Sequence, residues 1–216
     1  MIIDCISDLH GHYPKLDGGD LLIIAGDLTD NDSDQSHLDF IQWLHDQKYK
    51  KKIYIAGNHD HFLFDKTRHG YIKTDPKYNI DYLCDSGTEF EGLKIWGSPW
   101  TRSFYGMNPK CKAFTCHTEI ELKDKFSLIP SDVDILITHC PPYGIFDLTS
   151  RMEEVGSISL NRIVLSNDRF TNLKLHVFGH VHECGGRKMH TSICFVNASI
   201  MNEVYDPVNK PLRVIL

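Results

Sequence analysis

Short, mainly apolar runs recur along the chain, and each stops in a polar cluster. Residues 2–6 end in Ser7-Asp8-Leu9-His10-Gly11-His12, and 21–25 end in Gly26-Asp27-Leu28-Thr29-Asp30. Residues 53–56 end in Gly57-Asn58-His59-Asp60, 133–137 in Thr138-His139-Cys140-Pro141-Pro142, and 174–178 in Gly179-His180-Val181-His182. The first two and the fourth lack the apolar/polar alternation of a half-wet strand. That predicts buried strands in a sheet covered on both faces, with polar chemistry gathered where the strands stop.

Between these runs the periodicity lengthens. A helix is predicted over 35–47, with Asp32, Ser33 and Asp34 as cap candidates and Leu38, Ile41, Trp43 and Leu44 as its buried stripe. Lys48, Lys50, Lys51 and Lys52 then read as a solvated helix end that favours the helix dipole, in preference to a nucleic-acid patch. A short helix follows over 61–66, then a polar surface excursion over 67–80 containing Gly70 and Pro76. A strand is predicted at 80–83, a hairpin over 89–96 turning at Glu91-Gly92, and a long loop over 101–118. Helices are predicted over 119–126 and 158–165, the second capped by Ser157, with final strands at 193–197 and 213–216. No internal repeat or linker interrupts the pattern, so a single domain over 1–216 is expected.

Composition narrows the class. At 41% hydrophobic and 24% charged, the chain reads as globular. A net charge of −6 argues against strong general nucleic-acid binding. No apolar run is long enough to span a bilayer, and the N-terminus lacks a basic region before an apolar one. Seven cysteines without a CxxC pair predict reduced thiols and a cytoplasmic location.

Asp8, His10, Asp27, Asn58, His139, His180 and His182 all fall directly after predicted strands. Oxygen and imidazole donors without a thiolate suit manganese, iron, nickel or zinc. Seven donors exceed the needs of one tetrahedral ion, which points to two divalent metals sharing a carboxylate. Asp27 stands alone at its strand end and is the natural bridge. Two metals so placed form a clamp for phosphoryl transfer to water.

These blocks resemble the calcineurin-like metallophosphoesterases, whose signature runs D-x-H, G-D, G-N-H-[DE], a lone histidine after a strand, then G-H-x-H. Here the blocks are Asp8-Leu9-His10, Gly26-Asp27, Gly57-Asn58-His59-Asp60, Thr138-His139 and Gly179-His180-Val181-His182, in the family's order. Trp96-Gly97-Ser98-Pro99-Trp100 and the segments around His139 and His180 look more narrowly like its metallophosphoesterase-domain subgroup. That subgroup is similar to class III cyclic-nucleotide phosphodiesterases. The resemblance implies a four-layer α/β/β/α sandwich with mixed sheets and helices on both outer faces. It implies one metal on Asp8, His10 and His182, another on Asn58, His139 and His180, and Asp27 between them. His59 would face the substrate phosphate as a catalytic group, and Asp60 would orient His59.

The expected substrate is a small phosphodiester such as a cyclic nucleotide. A catalytically weak nucleotide-binding scaffold, a phosphomonoesterase and a protein phosphatase are the alternatives. Trp100, Arg102 and Tyr143 are candidate substrate contacts: rings to stack on a base, and a guanidinium to hold phosphate. Hairpin packing for Trp100 and a solvated charge for Arg102 are the competing readings. His12 and His61 are expected at a rim or surface, Cys140 and Cys184 as packing side chains. His37, His45, His69, His117, His176 and His190 carry no motif. Oligomeric state leaves no mark in the sequence.

Overall fold

The computed structural model describes residues 1–68, 74–104, 106–166 and 169–216, with backbone alone at 66–68. His69, Gly70 and the stretch of the polar excursion up to 73 lie outside the described residues. The first half contains β1 (Ile2–Ile6), β2 (Gly19–Ala25), α1 (Asp34–Asp46), β3 (Tyr49–Ile55), α2 (His61–Arg68), β4 (Ile80–Tyr82), β5 (Ser86–Phe90) and β6 (Leu93–Ser98). The second contains β7 (Thr101–Arg102), β8 (Thr115–Cys116), α3 (Glu119–Ser127), β9 (Ile135–Thr138), α4 (Ile158–Val164), β10 (Leu175–Phe178), β11 (Gly186–His190), β12 (Ile193–Asn197) and β13 (Leu212–Ile215).

Among the described residues these strands make two large sheets, ordered β13-β1-β2-β3-β4 and β11-β12-β10-β9-β6-β5. Both are mixed: the central strands are parallel, while β13, β11 and β5 pair antiparallel with β1, β12 and β6. Strand side chains alternate between two dry layers. Ile3, Cys5, Ile23, Ile53 and Ile55 meet Ile135, Ile137, Val177 and Val196 between the sheets. Their neighbours Ile6, Leu22, Ile24 and Tyr54 pack outward on Phe40 and Leu44 of α1 and Leu63 of α2. On the far face, Leu136, Phe178 and Phe195 pack on Leu122, Phe126, Leu160 and Val164 of α3 and α4. With both faces of each sheet covered, the central strands have little wet side, which explains their mainly apolar runs. The result is a four-layer α/β/β/α sandwich.

The caps follow local chemistry. Ser33 and Ser36 form a reciprocal capping box on α1, Thr118 and Glu121 do the same on α3, and Ser157 caps α4. Glu91 and Gly92 both take positive φ, 48° and 79°, the geometry of a tight hairpin turn. No described helix is long and apolar enough to cross a membrane.

Three expectations change. The buried face of α1 is Ser36, His37, Phe40 and Leu44, whereas Leu38 is 60% exposed. Leu38 sits two residues from Phe40, about 200° around the helix, so both cannot face the sheet. Only Lys48 stays at the solvated helix end: β3 begins at Tyr49 and takes Lys50, Lys51 and Lys52 into the sheet. Lys50 pairs with Asp20 and Lys51 with Asp81, both at 2.7 Å. Lys52 is buried and donates to the carbonyls of Leu44, His45 and Gln47 at 3.1–3.3 Å, satisfying the end of α1 from beneath. Finally, β11 escapes the hydrophobic pattern because it is an exposed edge strand of Gly, Arg, Lys, Met and His.

Candidate metal centre

The strands β1, β2, β3, β9 and β10 run parallel within their sheets and deliver their polar ends to one seam between them. The chain turns sharply there. Asp8, His10, Asp27 and His180 all take positive φ, at 55°, 41°, 53° and 71°, a conformation that costs non-glycine residues energy and clusters at functional sites. The loops are zipped by backbone bonds from Asp8 N–H to Gly26 and from His10 N–H to Asp27, at 2.9 and 3.0 Å. Glycines permit the approach. A Cβ on Gly57 would stand 2.2 Å from Asp27 Oδ1, and one on Gly179 would stand 2.3 Å from Asp8 Oδ2.

Asp27 is the hub. Its Oδ2 lies 3.3 Å from His139 Nε2, 3.8 Å from His10 Nε2 and 3.9 Å from His59 Nε2. Asp8 Oδ1 lies 3.5 Å from His182 Nε2 and its carboxylate accepts the His180 N–H at 3.1 Å. Asn58 turns its Oδ1 to His139 Nε2 at 3.0 Å while its amide N–H₂ donates to Cys111. The His180 ring stands 5.0 Å from the His139 ring. His10 Nε2 is buried without a hydrogen-bond partner, an unmet polar atom aimed into the cluster. Three donor sets each lie within 4.8 Å: Asp8 with His10 and His182, His10 with Asp27 and His59, and Asp8 with Asp27 and His139. Clustered oxygen and imidazole donors around a shared carboxylate fit a pair of divalent cations.

Residues 1–184 match the calcineurin-like phosphoesterase family. The chain belongs to that family. Metallophosphoesterase domain-containing protein 1 of Homo sapiens is 35% identical over 97% of this chain and 69% of its own length. UPF0046 protein T07D4.2 of Caenorhabditis elegans is 32% identical over 96% of this chain, which spans only 58% of that relative. TT1561 of Thermus thermophilus shares the fold, with a TM-score of 0.57 at 16% identity, over 91% of this chain and 88% of that one.

In this metallophosphoesterase the histidines are oriented from behind, as metal-binding imidazoles commonly are. His139 Nδ1 bonds the Ala25 carbonyl at 2.8 Å and His182 Nδ1 the Asn202 carbonyl at 3.3 Å, so both present Nε2 to the centre. Burial opposes ionisation of Asp8 and Asp27. It is overcome at Asp8 by the hydrogen bond and charge of His182, which bring the carboxyl to about 2. At Asp27 the surrounding His139, His59 and His10 hold it well below the usual carboxylate range. Burial lowers His10 to about 4 and His180 to about 3.

Burial also works against a charged His139, but Asp27 beside it prevails and holds the imidazole at about 9. Raised above its unfolded value near 6.5, this group stabilises the metal-free fold fully below that pH. The contribution is lost as pH rises through 9. Cations require the neutral ring, so loading near pH 7.5 is expected to release at least one proton per chain. Titration calorimetry in buffers of different ionisation enthalpy reads this directly; a heat independent of buffer contradicts it.

Asp60 is not placed to orient His59. Its carboxylate is buried and accepts the N–H groups of Gly57 at 2.7 Å and of Asp27 and Leu28 at 3.0 Å. It staples the Gly26-Asp27 loop to the Gly57-Asn58-His59 loop. Burial, reinforced by the charge of Asp27, pushes its carboxyl up to about 8 against the pull of those donors. His59 is held instead by its own N–H on Asp27 Oδ1 at 2.9 Å, with Cys111 Sγ 3.9 Å from its Nδ1.

Trp100 is engaged in packing, with Lys125 on one ring face. Its indole N–H donates to Asp85 at 2.7 Å, Lys125 covers its ring at 3.7 Å, and Phe114 packs on its edge. Tyr143 is not in the lining of the adjoining cavity, although its phenol hydrogen-bonds Glu154, which is. Arg102 does line that cavity, together with His117 and His180. His117, which carries no motif, is placed there by a 2.9 Å bond between its Nδ1 and Ser103 Oγ. Cys140 is fully buried, with its thiol on the Pro141 carbonyl, and Cys184 bonds the Leu148 carbonyl, so neither faces the centre.

One residue at the centre carries no sequence signal. Tyr205 packs its ring edge-on to His10 and His182, both at 4.8 Å, and lies 6.3 Å from His59. Its backbone is at φ 65° inside a turn built by Asn202, whose Oδ1 accepts the N–H groups of Val204 and Asp206. It belongs to no recurring block and follows the last residue of the family match.

Proposed function

We propose that this chain hydrolyses small phosphodiesters, cyclic nucleotides among them, using Asp8, His10, Asp27, Asn58, His139, His180 and His182 to hold two divalent cations. The observation that carries this reading is Asp27 Oδ2, with three imidazole nitrogens 3.3–3.9 Å away and His59 the most open of them. Bound there, the cations would neutralise phosphoryl oxygens and acidify a water molecule. The protein's own part is positioning and proton transfer. His59 has a side chain 23% exposed beside a cavity of about 550 Å³, whereas His139 is fully buried and His10 and His182 nearly so. It is therefore the imidazole that reaches the leaving oxygen and gives it a proton as the P–O bond breaks. Arg102, on the cavity next to His180, binds a non-leaving oxygen or its substituent.

Purified protein with Mn²⁺ is expected to hydrolyse bis-(p-nitrophenyl) phosphate, and p-nitrophenyl phosphate at least about tenfold more slowly. Absence of metal-dependent turnover on both, and on a cyclic-nucleotide panel, removes this proposal.

A further inference from the structure

Two cavities border the centre, each lined by one of its histidines. One, of about 510 Å³, lies over the second sheet and includes His180, Arg102, His117 and Phe104. The other, of about 550 Å³, lies over the first and includes His59, Thr29, Asp30, Asn31, Asn108 and Lys110. Asp27 stands at the seam, 3.9 Å from His59 and 3.3 Å from His139, whose ring neighbours His180. A scissile phosphate at the seam therefore has room for a substituent on each side.

Building on the phosphodiesterase reading above, we infer that the substrate is an acyclic phosphodiester with two substantial arms. Its leaving group is a polar, hydroxylated alcohol seated beside His59. Each cavity lies within the range that accommodates a drug-sized group. A cyclic mononucleotide has one nucleoside, with both ester oxygens on the same sugar, and leaves the second cavity empty. The side of departure follows from His59, which lines only one of the two cavities. Atoms balance: the water oxygen bonds to phosphorus and loses one proton to solvent, and the P–O bond on the His59 side breaks. Protonated His59 gives its proton to the leaving alcohol and regains one from solvent.

The linings separate the two arms. Beside His59 the wall offers a hydroxyl, the two carboxylates of Asp30 and Asp32, two amides and an ammonium, a set that pairs with several hydroxyl groups. The Asp30 carboxylate there disfavours a second phosphate. Beside His180, the Phe104 ring is 68% exposed and stands with Val155 and Val181 next to Arg102, which suits a planar or apolar arm.

The test is kcat/KM, with Mn²⁺, for a dinucleoside monophosphate, 2′,3′- and 3′,5′-cyclic AMP, and p-nitrophenyl phosphate. The dinucleoside is expected to exceed both cyclic nucleotides by about tenfold or more. Asn31→Ala and Lys110→Ala, both surface changes, are expected to lower the dinucleoside to p-nitrophenyl phosphate ratio at least about fivefold, because nitrophenolate has no hydroxyls for that wall. Phe104→Ala is expected to lower the same ratio through the other arm. Preference for a cyclic nucleotide, or ratios unmoved in all three variants, overturns the inference while metal-dependent turnover keeps the phosphoesterase reading intact. Turnover of none of these substrates overturns both.

Discussion

His59→Ala is expected to retain two cations per chain and to lose turnover of bis-(p-nitrophenyl) phosphate by roughly 10²–10⁴-fold, the usual worth of a positioned proton donor. Asp27→Asn is expected to lose both cations. The contrast rests on burial and reach. Asp27 is 1% exposed and collects three imidazoles on a single oxygen, so its charge serves every donor around it. His59 is anchored through its backbone N–H and leaves its ring beside a cavity. The competing outcome is physically definite, since His10, Asp27 and His59 also form a donor set within 4.8 Å. Metal content measured on chelated and reloaded protein decides between them. An equal fall in both variants makes His59 a ligand and moves the proton donor elsewhere.

The layered core is legible because burial on both faces leaves a mainly apolar run in most central parallel strands. β1, β2, β9, β10 and β12 are readable from that fact alone. The candidate donor positions are legible for a related reason: a strand end is where a parallel sheet exposes polar groups. What escapes has no such period. β11 is wet on the outside, and β7 and β8 are two residues each, too short to leave a pattern. Lys52 reads as solvent-facing because a lysine on a buried strand makes sense only once three carbonyls of the α1 end are known to lie under it. Tyr205 escapes because an Asn202-built turn, not a repeating block, brings it to the histidines. Trp100 misleads because aromatic character marks stacking on a base and stacking under Lys125 equally well. Asp60 misleads because its place one residue after His59 suggests a partner for that ring, whereas the turn aims it at the backbone.

That difference sets the second large effect. Asp60→Ala is expected to destabilise the fold by about 3–5 kcal/mol, because it leaves three buried N–H groups without an acceptor. Each such group costs about 1–3 kcal/mol when unmet, and entering water can relieve only part of it. In a chain of this size that corresponds to a melting temperature lower by roughly 10 °C. Metal affinity is expected to fall by about 10–100-fold, since Asp27 and Asn58 sit on the two loops the carboxylate ties together. Asp60→Asn is expected to lie between the variant and the parent. Oδ2 serves both Gly57 and Asp27 while Oδ1 serves Leu28, so one amide oxygen can replace only part of the set, and the amide N–H₂ must face a donor. A residue that merely oriented His59 would behave otherwise: Asp60→Ala would melt and bind metal like the parent, and only kcat would drop. Thermal melting and metal titration of the two variants therefore separate a loop staple from a catalytic partner without any activity measurement.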